Sequence, residues 1–96
     1  MKFEWDENKN KGNIIKHGVS FEEAATIFLN EVTEIPDLEH SNEIEQRFIA
    51  FGITSLLREL FVCYCYRELI DGEEVIHIIT ARKANQNEKK EFFNEG

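Results

Sequence analysis

Lys16, His17 and Glu23 surround the junction of two predicted helices, and Arg47, Arg67 and Arg82 stand at the start or end of three predicted strands. These are the side-chain types that metal-free cleavage of RNA requires. One group must take the proton of a 2′-hydroxyl as it attacks the adjacent phosphate in line, others must neutralise transition-state charge, and one must protonate the leaving 5′-oxygen. Histidine, glutamate and lysine suit the proton transfers, and the planar fork of arginine suits phosphate oxygens. Each group also has a structural use. Lys16 and His17 in a last helical turn are stabilised by the helix dipole, Glu23 completes a capping-box spacing with Ser20, and arginines ending strands discourage pairing between molecules.

The elements that must position these residues follow from periodicity and capping. Phe3 and Trp5 alternate with Lys2, Glu4 and Asp6, which predicts a short half-buried strand. Asp6 can cap and Gly18 can end a weakly amphipathic helix from Glu7 to about His17, whose apolar residues are Ile14 and Ile15. Ser20 opens a second helix to about Leu29, with Phe21, Ala24, Ala25, Ile27 and Phe28 as its apolar face and Val19 and Ala24 as a hydrophobic staple. After a short segment Glu31–Ile35, Pro36 breaks regular pairing and Asp37–Glu45 is an acidic loop.

Three strand-like runs follow, Arg47–Thr54, Leu60–Arg67 and Glu74–Arg82, the last two joined through Asp71-Gly72. Short connections predict an antiparallel meander. Apolar residues occupy both faces of these runs, so the central strands are covered twice, by this chain's helices or by a partner. Strand parity places Arg67 on the face of Cys63 and Cys65, and Arg82 on the face of Ile76, Ile78 and Thr80. Asn85 and Glu88 can cap a final helix anchored by Phe92 and Phe93. The expected fold is α+β, a small antiparallel sheet flanked by helices in the order β-α-α-β-β-β-β-α, as one domain over residues 1–96.

The net charge of −8 runs against a nucleic-acid enzyme, since phosphate binding uses a basic surface. The distribution softens this. Residues 1–45 carry a balance of −7 and residues 46–96 only −1, with every arginine in the second part. An acidic exterior leaves room for a local cationic cleft and also suits a basic protein partner. No apolar run approaches a membrane span and MKFEWDENK has no signal-peptide character, which predicts a cytoplasmic protein. Cys63 and Cys65 share a strand face and cannot easily bridge, so they are expected as reduced packing thiols.

His17, His40, His77 and the two cysteines are scattered without a zinc-ligand spacing, so neither a metal nor a cofactor is expected. Glycine-rich phosphate loops and the G-x-S-x-G elbow are absent from the sequence. Tyr64 and Tyr66 read as core residues of a central strand rather than as a base-stacking platform.

Taken together, F-E-W-D-E-N-K at Phe3–Lys9, Asn13, K-H-G-V-S-F-E-E-A at Lys16–Ala24, Arg47, Gly52, Arg67, T-A-R-K-A at Thr80–Ala84 and Glu88 resemble the BrnT toxin family. The resemblance spans nearly the whole chain. It implies a RelE-like fold, a ribonuclease that inhibits translation, and a BrnA-type antitoxin with a ribbon-helix-helix part, through which alone operator DNA is bound. It also implies Lys16, His17, Glu23, Arg67 and Arg82 as catalytic residues and Lys9, Arg47 and Lys83 as substrate contacts. In that scheme Glu23 or His17 is the base, Lys16 a phosphate contact or acid, and Arg67 and Arg82 the clamp. Phe92 and Phe93 stand where such toxins often carry a tyrosine. Two other functions fit the sequence: an inactive toxin-like module that only partners a ribbon-helix-helix regulator, and a structural or metal-binding protein.

Overall fold

A computed structural model describes residues 1–94 of the chain. The order is β1 (Lys2–Glu4), α1 (Glu7–His17), α2 (Phe21–Ala25) continued by a 3-10 turn (Thr26–Leu29), β2 (Thr33–Pro36), β3 (Arg47–Ile53), β4 (Glu59–Glu68), β5 (Glu74–Lys83) and α3 (Gln86–Phe92). The five strands form one sheet in the order β1-β5-β4-β3-β2. The meander β2 to β5 is antiparallel throughout, and β1 joins β5 in parallel. Pro36 ends β2 opposite Phe48 rather than interrupting it, which an outer strand tolerates.

Caps set the helix ends. The Asp6 carboxylate accepts from the backbone N–H of Asn8 and Lys9, and Gly18 closes α1 with φ 69°, a conformation open to glycine at little cost. Ser20 Oγ accepts from Glu23 N, and Asn85 with Glu88 forms both halves of a capping box. The box expected at Ser20 is only half made, because the Glu23 carboxylate is drawn elsewhere.

One sheet face carries the main core. Leu60, Val62, Tyr64, Ile76, Ile78 and Ala81 pack there against Val19, Phe21, Ala24 and Ile27, all fully or almost fully buried. Gly52 lets the 3-10 turn come close, since a Cβ at this position would stand 3.0 Å from Ile27 Cβ and Val32 Cγ1. The packing of α1 departs from its hydrophobic pattern. Asn10 and Asn13 are buried while Ile15 is 87% exposed. Asn13 donates to the Ala81 and Val19 carbonyls and accepts from Ala81 N, so its amide occupies the edge of β5 beyond the end of β1. Asn10 accepts from Phe21 N and donates to Glu7 and Glu22, tying α1 to α2.

The second face is closed by α3, whose Phe92 stacks on Phe51 with ring centres 3.9 Å apart, and by Asp37, which lies against the Cys63 thiol. The chain thus covers both faces of the central strands itself. A bulge between Cys63 and Tyr64 pairs Cys63 with Thr80 but Tyr64 with Ile78, leaving Ile79 without an opposite residue. This corrects the parity of β5. Thr80 and Arg82 lie opposite Cys63 and Phe61, so Arg82 shares the face of Arg67 and not that of Ile76 and Ile78.

Candidate functional site

At one end of the sheet the α1–α2 junction meets the turn between β3 and β4. Thr54 organises that turn: its hydroxyl accepts from the N–H of Leu56 and Arg58 and donates to Glu23 Oε2. Arg58 Nε donates to the same Glu23 oxygen at 2.8 Å, and its terminal nitrogen donates to Glu23 Oε1 and, at 3.0 Å, to the Gly18 carbonyl. The Arg58 guanidinium, with help from Thr54, holds the Glu23 carboxyl below the usual glutamate range despite burial, and Lys83 adds attraction. Lys16 and Lys83 are exposed and His17 is half-buried beside this pair. None of the three makes a side-chain hydrogen bond among the described residues.

Arg82 stands at the same end on the opposite face. It pairs with both oxygens of Glu88, at 2.7 and 2.9 Å, donates to the Lys83 carbonyl and stacks over Phe61 at 3.9 Å. This bidentate contact holds the Glu88 carboxyl below its ordinary range. Arg82 therefore fastens α3 to β5.

The other end of that second face carries a looser group. Arg67, the last residue but one of β4, lies next to Glu4 of β1, at 3.4 Å, and Glu45, at 3.8 Å. Its side chain is 48% exposed and borders an open groove of about 540 Å³. Glu45 is engaged more firmly by Arg47 Nε, at 2.8 Å, which holds its carboxyl below the ordinary range. His77 of β5 lies opposite Cys65, and its Nδ1 stands 2.6 Å from Glu4 Oε2. The Cys65 thiol, buried on this face, is pushed up by desolvation and stays protonated near neutral pH.

The residues expected to act together are thus divided. Lys16, His17, Glu23 and Lys83 gather at the helix-junction end; Arg47 and Arg67 gather at the other; Lys9 lies exposed on α1 without a side-chain partner among the described residues. Arg82 faces Phe61 across the β4–β5 pair, six residues from Arg67 along β4, or about 20 Å at roughly 3.3 Å per residue. The two arginines share a face but do not meet at one phosphate, which corrects the clamp expected of them. Sequence reasoning missed Arg58, which lies in a turn after two exposed leucines, and it considered His77 only as a metal ligand. The one signal for Arg58 was that it is one of only four arginines in an acidic chain. Among the described residues, no group of three or more His, Cys, Asp or Glu side chains is arranged to hold a metal ion.

Residues 5–88 match the family described as the ribonuclease toxin BrnT of type II toxin–antitoxin systems. The chain belongs to the BrnT family. It is also similar to the crystal structure of the Brucella abortus ribonuclease toxin BrnT, with 26% identity and a TM-score of 0.63 over 90% of this chain and 99% of that one. The α+β architecture is accordingly a BrnT architecture. No curated protein matches the chain. The BrnT match takes in both ends of the sheet, from the α1–α2 junction to Arg67, and begins one residue after Glu4. Membership makes the chain a ribonuclease toxin with an antitoxin counterpart. No helix among the described residues is long and apolar enough to cross a membrane.

Proposed function

We propose that this toxin is an endoribonuclease that cleaves RNA without a metal, by attack of the 2′-hydroxyl on the adjacent phosphate, and so stops translation in the cytoplasm. The observation that carries the reading is the state of Arg67. Its guanidinium is half-exposed at a groove and reaches two carboxylates only at 3.4 and 3.8 Å, so an anion of better geometry can take their place. Arg67 stabilises the phosphorane-like transition state, and Arg47, on the same face and held by Glu45, supplies the second positive charge.

Lys16, Lys83 and Lys9, with His17 beside Lys16, serve as contacts to the RNA backbone away from the reacting phosphate, where the exposed lysines in an acidic chain contribute attraction without sequence reading. Glu23 holds Arg58 and the α1–α2 junction in place, and Arg82 holds α3. A RelE-like relationship fits the sheet flanked by helices. A BrnA-type antitoxin with a ribbon-helix-helix part neutralises the toxin, and the net charge of −8 suits a basic partner segment.

Induced expression in bacteria tests this directly. The wild type arrests growth and leaves new RNA 5′ ends, and Arg67→Ala does neither while accumulating as soluble, folded protein. Arrest and cleavage undiminished in Arg67→Ala would reject the assigned role. Folded wild type with no arrest and no cleavage would instead support the inactive, antitoxin-binding module.

A further inference from the structure

We infer that His77 is the base of this ribonuclease and Glu4 its positioning residue, an inference that rests on the reading of the chain as a metal-free RNA-cleaving enzyme at Arg67. The geometry is a carboxylate–imidazole–guanidinium group. Glu4 Oε2 lies 2.6 Å from His77 Nδ1 and 3.4 Å from the Arg67 guanidinium, so one carboxylate oxygen holds the imidazole and lies beside the guanidinium. Parallel pairing of β1 with β5 sets Glu4 against His77, and antiparallel pairing of β4 with β5 sets Arg67 opposite Val75, two residues along the same face.

A carboxylate bonded to Nδ1 selects the imidazole tautomer with the proton on Nδ1 and the lone pair on Nε2. The ring is only 14% exposed, which keeps bulk water off the base and limits its motion. Glu4, Glu45, Arg67 and Arg47 are the charged groups around it, and Cys65 across the strand pair is a buried thiol that offers no competing charge. By contrast Glu23 has both oxygens committed to Arg58 and Thr54, and His17 has no side-chain hydrogen-bond partner among the described residues to orient it.

With an RNA phosphate against Arg67, His77 Nε2 takes the proton of the 2′-hydroxyl. The 2′-oxygen forms its bond to phosphorus, the P–O5′ bond breaks, and the departing 5′-oxygen takes a proton from water. The products are a 2′,3′-cyclic phosphate and a 5′-hydroxyl, and the imidazolium then returns its proton to solvent. No oxidant, reductant or metal enters the balance.

The test is single-turnover cleavage of a short RNA by the purified chain and by His77→Gln and Glu4→Gln, across the pH range. Binding is measured in parallel to the same oligonucleotide carrying 2′-deoxyribose at the cleaved position. The wild type should lose activity on the acidic side with unit slope. His77→Gln should cleave about a hundredfold more slowly without that limb, Glu4→Gln about tenfold more slowly, and all three should bind the deoxy analogue within threefold. Cleavage by His77→Gln at the wild-type rate, or a wild-type profile with no acidic limb, overturns the assignment even if one variant misfolds. Wild type that leaves RNA intact overturns the ribonuclease reading and this inference with it.

Discussion

The two ends of the sheet use arginine in opposite ways. Arg58 and Arg82 are each held by several partners: the first has a buried carboxylate and a backbone carbonyl, the second a bidentate glutamate, a carbonyl and an aromatic ring. Arg67 has two carboxylates at the limit of pairing distance and half its surface in water. A guanidinium bound to both oxygens of one carboxylate is committed to the fold, because any ligand must first break both bonds. One held loosely can exchange partners at small cost. An ion pair's length and exposure therefore say more about its role than its presence does.

Substitutions that break this contrast would overturn it. The largest effect belongs to Arg67→Ala, which should lower RNA cleavage about a hundredfold or more, as removal of a preorganised charge stabiliser does, while thermal melting shows a stability change under about 0.5 kcal/mol. Arg58→Ala should do the reverse. Stranding the buried Glu23 carboxylate costs about 3 kcal/mol, or a melting-temperature loss of roughly 12 to 24 °C in a domain of this size, with cleavage per folded molecule changed less than tenfold. Arg82→Ala should resemble Arg58→Ala more than Arg67→Ala, and a cleavage loss above tenfold at full folding would return it to the site.

Acidification sharpens the same contrast. Glu23, Glu45 and Glu88 are each held below the ordinary glutamate range, chiefly by hydrogen bonds from Arg58, Arg47 and Arg82. Their contribution is full above the unfolded-state value and is lost as pH falls through the lower folded values. Melting temperature should fall steadily below about pH 4.5, and Glu23→Gln should start lower and fall less. The smallest effect is expected of Lys16→Ala with Lys83→Ala: RNA binding weaker by a few-fold and a shallower dependence of affinity on salt concentration, with no change in melting.

Most of the fold was legible because its signals are local. Asp6, Gly18, Ser20 and Asn85 mark helix ends through their own side chains or φ, and the alternating runs of β3 to β5 need only short connections. Three features were not. The pairing of β1 with β5 joins the two ends of the chain, and no local pattern announces such a partner. The bulge at Ile79 shifts register by one residue, which flips Arg82 to the other face without disturbing the run of apolar residues. In α1 the apolar pattern pointed to Ile14 and Ile15, yet the buried groups are Asn10 and Asn13, because a strand edge with open N–H and C=O groups favours amides over methyl groups. The site suffered most, since it depends on that pairing and register. Arg67 and Arg47 were named by type and position, whereas the role proposed for His77 depends on Glu4, 73 residues away.

That separation has a bearing on synthesis in the cell. A chain emerges from the ribosome N-terminus first, so β1 leaves carrying Glu4 long before β5 exists to receive it. The meander can assemble from neighbouring segments, but the Glu4–His77 contact must await the synthesis of β5, 73 residues later. A nascent copy therefore lacks the Glu4–His77 pair until β5 has been made. A partner that displaced β1 from β5 would return the finished chain to that same unassembled state.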